Sequence, residues 1–143
     1  MKTAVFMRHG HAEDGNDDHA RELSAKGREA VDKSGAELRN AGFVPDVIVT
    51  STAERARVTA ELVARALGYS GQLLERRDLY LAEPGQYLQA VRELDDRFAC
   101  ALLVAHNPGL ESLAHRLGHS QRLSPAAFFR VERSVDTWED FGP

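Results

Sequence analysis

Val5-Phe6-Met7-Arg8-His9-Gly10-His11 is an apolar run that stops on an arginine and a histidine. Read as a strand, it carries both side chains to the edge of a sheet. The glycine behind them lets the backbone turn sharply or come close to a ligand. The run does not alternate between apolar and polar residues, which is the pattern of a strand covered on both faces in a parallel sheet. The first strand is therefore placed at about residues 3–7. Two later stretches repeat the design. Asp46-Val47-Ile48-Val49 runs into Thr50-Ser51, with Arg55 four residues further on, and Ala101-Leu102-Leu103-Val104-Ala105 runs into His106-Asn107-Pro108.

Between these runs the spacing is helical. Ser24 is a fitting N-cap for a helix to about Ala41, with Val31, Gly35 and Leu38 on one face and Gly42 as its stop. Before it, residues 10–22 are polar and aperiodic, which reads as a loop. After the second strand (about 46–50), Ser51 or Thr52 caps a helix with Ala53, Ala56, Ala60, Val63 and Leu67 in a stripe, ended by Gly68. Residues 73–80 read as a third strand. Ala82-Glu83-Pro84-Gly85 is a loop before a helix that turns Tyr87, Leu88, Val91, Leu94 and Phe98 inward. The fourth strand is about 100–105. Asn107 then reads as an N-cap and Pro108 as the first residue of a helix with Leu110, Leu113, Ala114 and Leu117 buried, closed by Gly118. Residues 127–131 and 135–138 read as a hairpin at the sheet edge, and the last five residues are expected to fray.

This alternation predicts an α/β fold: a three-layer α/β/α sandwich with a mainly parallel sheet and an antiparallel C-terminal hairpin. The 143 residues suit one domain, residues 1–143, and no repeat or linker divides them. No apolar window is long enough to cross a bilayer, so no membrane partner is expected. The net charge of −4 argues against nucleic acid as the partner. The single cysteine, Cys100, excludes an internal disulfide and, with no room for a secretory signal before Arg8, points to the reducing cytoplasm.

In parallel α/β sheets, ligands bind at the carboxyl ends of the strands. Arg8 and His9, the Ser51–Arg55 segment, and His106 all fall there. Arginine forks match the oxygens of a phosphoryl group, and Arg55 in a first helical turn adds the favourable end of the helix dipole. A histidine beside two guanidinium groups should be held neutral by like-charge repulsion, as a nucleophile must be. His106 suits a hydrogen bond to the phosphoryl oxygens. Chemistry alone leaves open which histidine attacks; the coupling of His9 to Arg8 favours His9.

These segments resemble the histidine phosphatase superfamily, the phosphoglycerate-mutase-like enzymes. Arg8-His9-Gly10 resembles the N-terminal motif, Ser51–Thr59 the segment of the second arginine, and Val104–Pro108 the segment of the second histidine. The small size and Arg21-Glu22-Leu23-Ser24-Ala25-Lys26-Gly27 bring the chain nearest the SixA-like phosphohistidine phosphatases. The resemblance implies a phosphoglycerate-mutase-like fold, a phosphohistidine intermediate on His9, phosphate binding by Arg8, Arg21, Arg55 and His106, and no cofactor or metal. By position it makes Glu83 the general acid, with Glu13 and Asp14 competing. No long insertion roofs the pocket, so the expected partner is a phosphorylated protein, a phosphohistidine-bearing signalling protein foremost, with a small phosphorylated metabolite as the alternative.

Two other classes compete. His9, His11, Glu13, Asp14, Asp17, Asp18 and His19 are hard or borderline metal ligands within eleven residues, but their spacing matches no tetrahedral or facial pattern. A non-catalytic module that binds phosphorylated proteins would present the same pocket without turnover. A cysteine phosphatase does not fit, since His106 stands where the arginine six residues after Cys100 would be.

Overall fold

The computed structural model describes residues 1–143. One sheet contains β1 (Lys2–Arg8), β2 (Val47–Ser51), β3 (Leu73–Arg76), β4 (Cys100–Ala105) and β5 (Phe128–Arg133). The order is β3-β2-β4-β1-β5. The first four run parallel; β5 is antiparallel to β1. β1 lies between two late strands. Thr3 pairs with Cys100 and Arg8 with Ala105 on one side, and Lys2 with Arg133 and Met7 with Phe128 on the other.

Four helices cover the sheet: α1 (Ala25–Asn40), α2 (Glu54–Ala66), α3 (Pro84–Arg92) and α4 (Gly109–Arg116). The chain steps from β1 to β2 to β3 in one direction, so right-handed crossovers put α1 and α2 on one face. The return step from β3 to β4 puts α3 on the other, where α4 joins it. Alternate strand residues serve the two faces. Val5, Met7, Ile48, Leu102 and Val104 meet Val31, Leu38, Ala56, Ala60 and Val63. Ala4, Phe6, Val47, Val49 and Leu103 meet Tyr87, Val91, Leu110 and Leu113. No helix is long and apolar enough to cross a membrane.

Helix ends follow local chemistry. Ser24 caps α1 by accepting from the Gly27 N–H at 2.9 Å. Gly42, Gly68 and Gly118 take φ of +76°, +67° and +85° just beyond α1, α2 and α4, the left-handed turn that a side chain resists. Other expectations are corrected. Neither Ser51 nor Thr52 is the N-cap of α2; Ala53 is, and Ser51 ends β2. Pro108, after a cis Asn107–Pro108 peptide, stands at the N-cap of α4, while Asn107 Oδ1 accepts from the Glu111 N–H at 3.2 Å. β3 stops at Arg76, and a 3₁₀ turn takes Arg77–Leu79, because the Leu79 side chain must reach the core. Leu94 and Phe98 lie past the end of α3, partly buried against its core.

The C-terminal hairpin does not form. Only β5 pairs, and the chain then turns under the sheet to bury Trp138 completely. The Trp138 N–H donates to Asp96 Oδ1 at 2.8 Å and its Nε1–H to the Phe98 carbonyl at 2.9 Å. The last residues are held as well. Phe141 is fully buried, Arg92 Nε–H donates to its carbonyl at 2.7 Å, and Arg133 Nε–H donates to the Gly142 carbonyl at 2.7 Å. Trp138→Ala should cost about 3–5 kcal/mol, as emptying a large buried site does. Urea unfolding followed by far-UV dichroism should show a lower midpoint at an unchanged slope.

Candidate active site

The carboxyl ends of β1, β2 and β4 open into a cleft of about 400 Å³. Its lining includes Arg8, His9, Arg21, Arg55 and His106, drawn from distant parts of the chain. The lining is almost wholly polar; Ala12 and Leu81 are its hydrophobic members.

Gly10 permits the arrangement through close packing. A Cβ there would stand 2.8 Å from Val31 Cγ2 and 2.9 Å from Leu23 Cδ2, so glycine lets the strand end pack directly on α1. Its N–H donates to Thr59 Oγ1 at 3.1 Å, and Thr59 in turn donates to the Arg55 carbonyl at 2.7 Å. The turn after His9 is thereby tied to the start of α2.

His9 Nδ1–H donates to the Gly10 carbonyl at 2.7 Å. That bond fixes the tautomer and leaves the lone pair on Nε2, which accepts from Arg55 Nε–H at 3.2 Å. The imidazole pKa falls to about 4. Burial is the main cause, and the nearby charges of Arg55, Arg8 and Arg21 add to it against the opposing Gly10 bond. The expected neutrality thus has desolvation first and like-charge repulsion second.

His106 lies 5.0 Å from His9, ring centroid to centroid. Its Nε2 meets Ser51 Oγ at 2.6 Å, and Ser51 also accepts from the Ala53 N–H at 3.3 Å. Burial foremost, then the charges of His9 and Arg55, lowers its pKa to about 3. Tyr87 places the backbone here, its hydroxyl accepting from the His106 N–H at 3.3 Å. Two buried side-chain nitrogens are without hydrogen-bond partners, Arg8 Nε and His106 Nδ1, and both belong to residues of this cleft. Unpaired buried polar groups are costly, so a pair of them in one polar cleft makes it the candidate ligand site.

Arg8 Nη1–H donates to the Leu123 carbonyl at 2.9 Å. Arg55, 3% exposed, sits in the first turn of α2 as its motif placed it. Its other donors go to Asp18: Nη1 to the carbonyl at 2.7 Å and Nη2 to Oδ2 at 3.1 Å. Arg21 Nη1 reaches Asp18 Oδ1 at 3.0 Å, and the Tyr80 hydroxyl donates to Oδ2. The Tyr80 bond first, then Arg21 and Arg55, hold the Asp18 carboxyl well below the usual carboxylate range. Asp18 therefore stays ionised at neutral pH.

Asp18 and Tyr80 were not singled out from sequence as parts of the phosphate site. In the sequence Asp18 stands out only as one of the candidate metal ligands of a polar, aperiodic loop. The legible signal was its spacing from Arg21, three residues apart across a 3₁₀ turn at Asp18–Ala20. Glu83 is the converse case. It is exposed, forms a capping box with Gln86 at the start of α3, and is not among the residues that line the cleft. Of its competitors, Asp14 lines the cleft and Glu13 does not. The supposed metal ligands are dispersed: His11 Nδ1 meets Ser24 Oγ at 2.7 Å, His19 Nε2 meets Thr52 Oγ1 at 2.8 Å, and no three acidic, histidine or cysteine side chains cluster to hold an ion.

The histidine phosphatase superfamily (branch 1) matches residues 4–83. An uncharacterized protein of Mycobacterium tuberculosis strain H37Rv is 30% identical over 96% of this chain and 92% of its own. A structure from Nakamurella multipartitia, provisionally named a phosphohistidine phosphatase SixA, is 25% identical with a TM-score of 0.85, covering 97% of this chain and 88% of that one. The protein histidine phosphatase SixA complexed with tungstate shares the fold at 23% identity, with a TM-score of 0.80 over 91% of this chain and 87% of its own. A mycobacterial glucosyl-3-phosphoglycerate phosphatase shares it at 16% identity, with a TM-score of 0.68 over 90% and 89%. The matched segment contains Arg8, His9 and Arg55, the sheet order sets His106 beside them, and the chain accordingly belongs to the histidine phosphatase superfamily, as a phosphatase of phosphoglycerate-mutase-like fold.

Proposed function

We propose that this phosphatase works through a phosphohistidine on His9 and that its substrate is a phosphohistidine-bearing signalling protein of the cytoplasm. The observation that carries the first part is the disposition of the His9 ring: Nδ1–H is committed to Gly10, and the Nε2 lone pair faces a cleft with two unsatisfied buried donor atoms. Nε2 attacks phosphorus, the bond from phosphorus to the substrate nitrogen breaks, and the phosphoryl group rests on His9. Arg8 and Arg55 hold the equatorial oxygens, with Arg21 at the mouth. Ser51 accepts from Ala53 while donating to His106 Nε2, which leaves the proton on His106 Nδ1 to donate to the transferring group. Water then attacks the phosphohistidine, releasing inorganic phosphate and restoring the imidazole. Arg55 Nε must leave the His9 lone pair as substrate enters.

The substrate class follows from the carboxylates. An alkoxide leaving group needs an acid beside it; Asp18 is held ionised and Glu83 stands outside the cleft, so Asp14 is the one carboxylate of the lining left for that role. A phosphohistidine side chain requires less: its far ring nitrogen takes a proton from water and the ring departs as neutral imidazole. The similarity to structures named as SixA phosphohistidine phosphatases agrees with that reading. Cytoplasmic placement rests on the free Cys100.

His9→Ala should abolish turnover. Wild-type chain quenched during turnover should carry phosphate on His9 that is lost in acid and survives base; acid-stable label, or none, refutes the intermediate. Phosphohistidine protein and peptide should be cleaved with a higher kcat/KM than para-nitrophenyl phosphate, and the reverse ranking would favour a small phosphomonoester. Arg55→Ala should lower kcat/KM by about 10²–10³-fold, the range for losing one transition-state donor. The pH profile gives a separate check. His9 attacks as the neutral base and its pKa lies near 4, so activity is lost as pH falls through that value. The acid limb of kcat/KM should therefore bend near pH 4, well below the 6.5 of an ordinary histidine.

A further inference from the structure

Arg8 is the arginine whose support is least obvious. Its Nη1 is fixed by a single acceptor, the Leu123 carbonyl at 2.9 Å, and Leu123 lies in the irregular segment between α4 and β5. A guanidinium can be no better placed than the peptide that holds it. Leu123 is itself held from both sides. Its N–H donates to Glu111 Oε2 at 2.8 Å. Asn107 Nδ2 donates both to Glu111 Oε2 at 2.9 Å and to the Leu123 carbonyl at 3.0 Å. Asn107 Oδ1 accepts from the Glu111 N–H at 3.2 Å, so every polar group of that amide is engaged.

We propose that Glu111 is a positioning residue for Arg8: its carboxylate pins the Leu123 peptide, and the Leu123 carbonyl aims the guanidinium so that Nε is left for the phosphoryl group. Glu111 stands in the first turn of α4, five residues after His106. One short stretch, His106 to Glu111, thus supplies one phosphate-binding side chain directly and sets another at a distance. The carboxylate also favours the charged guanidinium, opposing the burial of Arg8. The proposal rests on Arg8 belonging to the phosphoryl site.

The test uses tungstate, a tetrahedral oxyanion, titrated calorimetrically into the full chain. The variants are Arg8→Ala, Glu111→Ala, Glu111→Gln, and Arg8→Ala combined with Glu111→Ala. Glu111→Ala should weaken binding about tenfold, and Glu111→Gln, which keeps the acceptor, should restore it to within about threefold of wild type. In the Arg8→Ala background Glu111→Ala should cost no more than about twofold, because the residue through which it acts is gone. Should Glu111→Ala fail to fold, Glu111→Asp keeps the charge, withdraws it from Leu123, and runs the same cycle with an expected loss of about threefold or more. Glu111→Ala at wild-type affinity, or the same loss with and without Arg8, overturns the proposal. The phosphatase reading fails differently: wild-type chain indifferent to tungstate removes the phosphoryl site and the proposal together, whereas tungstate bound by wild type, weakened in Arg8→Ala and unchanged in Glu111→Ala removes the Glu111 proposal alone.

Discussion

A buried imidazole with one nitrogen tied to a backbone carbonyl sets the terms for the rest of the cleft. Burial makes protonation of His9 unfavourable, and the Gly10 bond decides which nitrogen keeps its lone pair. Both depend on the strand end packing hard against α1, which requires a residue without a side chain at position 10. The cationic groups around the ring are then tolerable because the ring carries no charge of its own. On the proposed reading they form a field suited to a phosphoryl group.

Asp18 moderates that field. It is an exposed carboxylate that touches Arg21 and Arg55 and receives the Tyr80 hydroxyl. In the free protein it keeps two arginines and an aromatic ring in one arrangement. On the proposed reading an arriving phosphoryl group must compete with it for Arg55, so part of the attraction between substrate and arginine is offset before any chemistry begins. Arg8 has no such carboxylate at hand; its fixed contact is a carbonyl, and its charge is balanced from further away.

The sequence was most readable where chemistry is local. Strand ends carrying Arg8, Ser51 and Ala105, the Ser24 cap, and the glycine stops all depend on a few adjacent residues. The buried stripes of α1, α2 and α4 were legible from spacing for the same reason. What escaped depends on contacts across the chain. Residues 135–138 read as a second short strand and Phe141 as part of a fraying end, and only packing against the core on the α3 and α4 face of the sheet shows both aromatics to be buried. Glu83 was judged by its place in the family pattern, yet a proline at the next position makes it a helix cap. Asp18 needed Tyr80, sixty-two positions away, to become more than a loop charge.

The strand order has a consequence for how the molecule is made. β1 is synthesised before every other element, yet its two neighbours are β4 and β5. Until residue 133 has emerged, a strand of seven buried or nearly buried residues has at most one edge satisfied. Pairings of such long separation close slowly, and an unpartnered apolar strand is open to wrong partners meanwhile. The nascent chain is therefore exposed to aggregation longest at this buried strand, and a chaperone that shields residues 2–8 during translation would protect it over that interval.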